Sequence, residues 1–216
     1  MIIREINPGD RKLIGEMARL HRDSFPDYFL SMLGLPFMKA IYREYLENPS
    51  AGIVIAEEDG KLVGLLSYMD STSQVPVNVI NNRPILFLCS AFSLILRKPS
   101  LYKNIKRLHE SCRKEKTRVR TRKYIELGSF CLYPELRGNG TGTEMLERVK
   151  SMTDYNTYDC VSLTTASDDN DRINLFYMKR GFVPTGMVTM PEGKCMTIYE
   201  YSPHPTKHRS DGVVAQ

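Results

Sequence analysis

No apolar run in this chain approaches the ~18–20 residues that a helix needs to cross a bilayer. The longest, residues 85–96, covers about a dozen, a length that suits a buried or interfacial helix. The first residues, Met-Ile-Ile-Arg-Glu-Ile, lack the charged-then-apolar layout of a secretory leader. Cysteine is sparse: Cys89, Cys112, Cys131, Cys160 and Cys195 are odd in number and widely scattered. With no C-x-x-C pair and no Cys/His cluster, a disulfide framework and a zinc site are both disfavoured. No segment repeats. These absences predict a reduced, cytoplasmic protein without a metal.

What is present is ordinary for a globular chain of 216 residues, 42% hydrophobic and 25% charged. That length fits one domain, or one domain with an insertion. The net charge of +5 conceals an uneven distribution. Residues 97–123 hold twelve Lys/Arg against Glu110 and Glu115, a local +10. The remainder carries 18 basic and 23 acidic residues, or −5, so the basicity belongs to one segment.

Periodicity then divides the chain. A strand is expected over residues 1–6, and a turn at 7–10 with Asp10 as helix N-cap. Leu13, Ile14, Met17, Ala18 and His21 recur at helical spacing up to the break at Phe25-Pro26-Asp27. Helical pieces near 27–33 and 36–46 follow. Strands at 53–56 and 62–68 are joined through Asp59-Gly60, a strong hairpin signal. Residues 70–83, rich in Ser, Asn and Pro, read as loop. The apolar run 85–96 comes next, then a helix built on Leu101, Ile105 and Leu108 that ends in the basic stretch 113–123. Strand 124–132, a helix near 143–152, a strand at 158–165 and a helix over 171–180 stopped by Gly181 complete the interleaving. A hairpin of 182–190 and 195–201 closes it. The pattern is mixed α/β. Residues 1–201 form the domain, with 70–123 as an insertion, and 202–216 read as a disordered tail.

The order strand, glycine turn, helix recurs most sharply at Cys131-Leu-Tyr-Pro-Glu-Leu-Arg-Gly-Asn-Gly-Thr-Gly-Thr-Glu-Met145. Unpaired N–H donors and the positive end of a helix dipole make such a turn a site for phosphate. Arg137-Gly138-Asn139-Gly140-Thr141-Gly142 resembles the acetyl-CoA pyrophosphate loop, Arg/Gln-x-x-Gly-x-Gly/Ala, of the GCN5-related N-acetyltransferases (the GNAT superfamily). Asn170-Asp-Arg-Ile-Asn-Leu-Phe-Tyr177-Met-Lys-Arg-Gly181-Phe182 resembles the same family's second signature, Asn-x-x-Ala-x-x-x-Tyr-x-x-x-Gly-Phe. Ile173 stands there where a small residue is usual. The resemblance is close over 125–201 and weak over 1–70. The run Phe25-Pro-Asp-Tyr-Phe-Leu-x-x-Leu-Gly loosely resembles family members of bacterial surface-sugar synthesis.

The resemblance implies a GNAT fold, a mixed sheet of about seven strands flanked by helices, with a helical insertion before the fourth strand. It implies direct acetyl transfer from acetyl-CoA to a primary amine in a ternary complex. Backbone groups of Arg137, Gly138, Asn139, Gly140, Thr141 and Gly142, with Thr143, would bind the pyrophosphate. Main-chain donors of Phe130, Cys131 and Leu132 would face the thioester on a strand that splays from its neighbour. Tyr177 would protonate the leaving thiolate. Glu126, the only carboxylate on its strand and at even spacing from Gly128 and Phe130, is the candidate base. Asn170 matches a position near the cofactor and is read first as a helix cap. Cys131 is read as a buried small hydrophobe, and His21 and His109 as surface or core positions.

For the acceptor, an amino sugar, free or nucleotide-linked, leads. A protein N-terminus, lysine or other small amine, and a non-catalytic CoA-binding regulatory domain, stand as alternatives. The basic insertion can be a solvated face, a lid that recognises a phosphorylated acceptor, or, over 84–123, a membrane-surface contact. Nucleic acid is not expected, because no aromatic residues interleave the charge. A homodimer is left open.

Overall fold

A computed structural model describes residues 1–70, 74–106, 123–189 and 194–203. The basic stretch 113–122, His109 and the tail from 204 lie outside the described residues.

The chain opens with β1 (Ile2–Glu5) and a 3₁₀ turn, Pro8–Leu13. Asp10 is not the cap of the first helix: it sits inside this turn, where its carboxylate accepts the Asn7 N–H at 2.9 Å and an Arg4 N–H at 2.7 Å. Then come α1 (Ile14–Ser24), α2 (Phe29–Met32) and α3 (Leu35–Glu47). Gly34, at φ 97°, turns the chain into α3 ahead of Pro36. β2 (Ala51–Glu58) and β3 (Lys61–Met69) form the expected hairpin. Asp59 and Gly60 both have positive φ, as a two-residue turn with the strands' own twist requires.

Residues 70–83 are not all loop. They contain α4 (Gln74–Asn82), whose Val75, Val77, Val79 and Ile80 are buried, and this burial outweighs a composition poor in helix formers. α5 (Pro84–Arg97) follows, then a 3₁₀ turn, Pro99–Leu101, and the helical residues 102–106, α6. β4 (Tyr124–Leu132) leads through a second short 3₁₀ turn into α7 (Thr141–Met152). β5 (Cys160–Ala166), α8 (Asp171–Met178), β6 (Val183–Thr189) and β7 (Cys195–Tyr201) end the domain.

The seven strands lie in the order β1-β2-β3-β4-β5-β7-β6. Among the described residues only the β4–β5 pair is parallel. Because side chains alternate along a strand, the sheet feeds two cores. Ile53, Ile55, Leu65 and Met69 pack with α1, α3, α4 and α5, whereas Val54, Ala56 and Leu66 pack with α7 and α8. Among the described residues no single helix is long and apolar enough to cross a membrane.

Candidate active site

The site is built around a parting in the sheet. β4 and β5 pair only at Tyr124↔Cys160, Ile125↔Val161 and Glu126↔Ser162. Beyond Glu126 the two strands separate, and the edge of β4 that faces β5 is left without ladder partners. On its other edge β4 stays paired with β3, from Glu126↔Met69 to Leu132↔Gly64. The Tyr133 N–H bonds to the Val63 carbonyl at 3.1 Å, and the Ser129 N–H to Ser67 Oγ at 2.8 Å. Backbone groups alternate in direction along a strand. The N–H groups of Phe130 and Leu132 therefore point the other way, into the parting, while that of Cys131 points toward β3.

A register shift interrupts β4, where Gly128 and Ser129 together oppose a single β3 residue, Ser67. A bulge adds one residue and reverses which face later side chains occupy. Ile125 and Leu127 lie with the α7–α8 core, so Glu126 faces α1 and α3. After the bulge it is Cys131 that faces α1 and α3, and Phe130 and Leu132 that face α7 and α8. The even-spacing expectation that Glu126 and Phe130 share a face is corrected by that one extra residue. Glu126 is half-buried beside Tyr45 of α3, whose phenol is pushed up by burial and, to a smaller extent, by the Glu126 charge.

Below the parting, the glycine turn is shorter than expected and α7 begins two residues earlier, at Thr141. Gly138 and Gly140 have φ of 94° and 98°. Side chains other than glycine rarely hold that conformation, so both positions need glycine. Gly140 is the N-cap, and its carbonyl accepts the Glu144 N–H at 3.0 Å. Asn139 Oδ1 accepts both the Thr141 N–H at 3.1 Å and the Thr141 hydroxyl at 2.7 Å. Thr141 is thus 2% exposed with its donors taken. The first-turn amides of Gly142 and Thr143 lie at the positive end of α7, where an anion is favoured. Arg137, Gly138 and Asn139 are exposed at the mouth.

Two cations that the motif reading passed over converge here from α8 and its exit. Arg180 Nε donates to Thr143 Oγ1 at 3.0 Å, its Nη2 donates to the same oxygen, and its Nη1 donates to the Phe176 carbonyl at 2.7 Å. Its guanidinium stacks on the Phe176 ring at 3.8 Å. Arg172 lies against Gly138, its Nη2 4.0 Å from where a Cβ would stand. Arg172, Phe176 and Arg180 are four residues apart each, the spacing that aligns side chains along a helix. That signal was available in the sequence.

Tyr177 is 7% exposed and packs against Phe182 and Tyr199, in the same core as Leu127 and Leu163, the residues at which β4 and β5 begin to part. Burial pushes its phenol up, so it is protonated throughout the neutral range. Tyr177 and Glu126 lie on opposite faces of the sheet. Asn170 does not cap α8 with its side chain. Its Nδ2 donates to Thr165 Oγ1 at 2.9 Å and to the Ala166 carbonyl at 3.0 Å, tying the end of β5 to the start of α8. Ile173 points outward, which is why a large residue is tolerated there. Cys131 is 1% exposed. Burial pushes its thiol up to about 12, with Ser24 and the charge of Arg137 only partly opposing, so it is no nucleophile at neutral pH. His21 is buried with Nδ1 2.7 Å from the Tyr42 hydroxyl.

A parted strand with inward donors, beside a phosphate-ready helix start, fits a thioester carried on a long pyrophosphate-bearing arm. Comparison with known proteins agrees. The family model described as the acetyltransferase (GNAT) family matches residues 15–182. No curated protein matches the chain. Among solved structures, an aminoglycoside 6'-acetyltransferase type Ii superposes with a TM-score of 0.61 at 16% identity, covering 95% of this chain and 100% of that one. An aminoglycoside 6'-N-acetyltransferase complexed with coenzyme A gives 0.58 at 14%, over 95% and 99%. A spermidine N-acetyltransferase from Vibrio cholerae, solved as a point mutant, gives 0.51 at 14%, over 93% and 94%. At such identities these structures establish the fold.

Proposed function

Since the chain belongs to the acetyltransferase (GNAT) family and is an acetyl-CoA-dependent N-acetyltransferase, we propose that its acceptor is the primary amine of an amino sugar, carried on a nucleotide or free. We propose further that transfer is direct, within a ternary complex. The observation that carries the acceptor is a cavity of about 800 Å³ beside the end of α1. Arg22 and Asp23 in its lining pair with each other at 2.9 Å, which leaves Arg97 and Lys98 as its excess positive charge. Ser24, one residue on from Asp23, meets Cys131 of β4. A phosphorylated sugar would have its anionic end in that cavity and its amine toward β4. Two of the solved neighbours are aminoglycoside acetyltransferases, whose acceptors are also amines on sugars.

In this reading the glycine turn, Gly142 and Thr143 hold the pyrophosphate, assisted by Arg137, Arg172 and Arg180. The N–H groups of Phe130 and Leu132 that face the parting stabilise charge developing on the thioester oxygen. Glu126, on the α1–α3 face, takes the proton of the incoming amine. Tyr177, on the α7–α8 face, supplies a proton to the departing thiolate. Two groups on opposite faces can act in one step without competing for a single proton.

The test is a thiol-release assay across free amino sugars, nucleotide amino sugars, polyamines and peptides. Nucleotide amino sugars should give the highest kcat/KM, and Arg97→Ala with Lys98→Ala should raise KM for them about tenfold. Preference for a peptide or polyamine sinks the sugar reading. Tyr177→Phe should lower kcat roughly 10²-fold while leaving the acetyl-CoA Kd unchanged. Glu126→Gln should lower kcat/KM, with the deficit shrinking as pH rises and the amine deprotonates by itself. Ping-pong kinetics would contradict direct transfer.

A further inference from the structure

α5 is apolar on both sides, which a helix of a single folded domain has little reason to be. Its inner face carries Phe87, Ser90, Ala91 and Leu94, all buried against the α1–α4 core. Its outer face carries Ile85, Leu88, Phe92 and Leu96, exposed by 76%, 64%, 64% and 67%. At about 100° per residue these four fall within about 100° of arc, directly opposite the buried set. Cys89 lies in the same arc and is exposed. The stripe is continuous along a helix of 14 residues, about 21 Å long, too short to span a bilayer and long enough to lie in its surface. α4 and α5 meet at 105°, so the pair cannot serve as one straight span.

We infer that α5 docks this enzyme in the plane of an anionic lipid surface. Charge selects the occupant. The exposed Lys98, Lys103 and Lys106 follow the stripe directly, and the exposed Tyr102 supplies the amphipathic ring favoured at a lipid interface. They belong to the 97–123 segment, whose local charge is +10. A second copy of the chain would bring the same charge to the contact and be repelled. An apolar wedge beside dense positive charge matches acyl chains beneath anionic headgroups. The inference does not rest on the acceptor proposed above.

The full chain is tested by co-sedimentation with phosphatidylcholine vesicles, with and without roughly 30% phosphatidylglycerol. Sedimentation is expected with the anionic vesicles and not the neutral ones, and it should weaken as salt rises. Leu88→Asp with Phe92→Asp should reduce vesicle binding tenfold or more. Lys103→Glu with Lys106→Glu should reduce it several-fold. Both sites are on the surface, and acetyl-CoA binding should be unchanged in each variant, which separates a lost membrane contact from a lost fold. No binding to anionic vesicles overturns the inference, as does binding that the Asp variant leaves intact. A dimer that the Asp variant dissociates, without vesicle binding, assigns the stripe to a second copy, and capture of an acidic protein without vesicle binding assigns it to that partner.

Discussion

His21 has its charge set by burial alone. Desolvation holds its imidazole down at about 4, against an ordinary value of 6.5. In the unfolded chain the ring takes a proton as pH falls through 6.5, whereas in the folded protein it stays neutral until about 4. The stability linked to His21 is therefore fully present above pH 6.5 and is lost as pH falls toward 4. The size is about 3 kcal/mol. His21→Leu should be less stable than the parent at pH 7.5, because the Tyr42 contact is gone, yet it should lose less between pH 6.5 and 4.5. Urea midpoints across that window measure the difference. Parallel curves for the two proteins would refute the assignment.

At the scale of elements, the parts legible in the sequence were those where one residue type answers one backbone need. Gly138 and Gly140 marked the turn because positive φ excludes most alternatives. Asp59-Gly60 marked the hairpin for the same reason. The bulge in β4 was not legible, since Gly128-Ser129 is as acceptable in a regular strand as in an irregular one. Only the pairing with Ser67 reveals it, and that pairing decides which face Glu126 shares with Cys131. α4 was missed because Pro76, Asn78, Asn81 and Asn82 argue locally against a helix, while the core rewards Val75, Val79 and Ile80 only once α3 is beside them. Arg180 was visible as a residue and not as a neighbour of Thr143, 37 positions away. A cation held at the N-terminal turn of α7 opposes the helix dipole until an anion arrives, which argues for a binding role. Arg180→Met keeps the stem packed on Phe176 and removes the charge. It should raise the acetyl-CoA Kd about tenfold and leave kcat within about twofold, the signature of lost ground-state binding. A fall in Tm with Kd unchanged would make Arg180 a structural strut.

For the whole molecule, the described helices between β3 and β4, α4 and α5, are built into the main core. Phe87 of α5 meets Phe37 of α3 with ring centroids 6.2 Å apart, and Leu94 is 2% exposed in the same core as Ile53 and Ile55 of β2. β2 turns its alternate residues, Val54 and Ala56, into the other core with α7. A defect under α5 is therefore shared, through one strand, with the face that carries the glycine turn. Excising residues 84–120 should unfold the domain and so cannot isolate the role of the insertion. Leu94→Ala is the milder test. It opens a cavity at the α5 contact and should cost about 3 kcal/mol. If the two cores unfold together, hydrogen-exchange protection of the slowest amides in β2 and in α7 should fall by that same amount. Saturating acetyl-CoA, bound at α7 in the proposed reading, should restore stability to both sets of amides alike. Loss confined to α4, α5 and β2, with α7 unchanged, would show that the cores are coupled only loosely. The apolar outer stripe would then belong to a unit that can open without disturbing the α7–α8 face of the sheet.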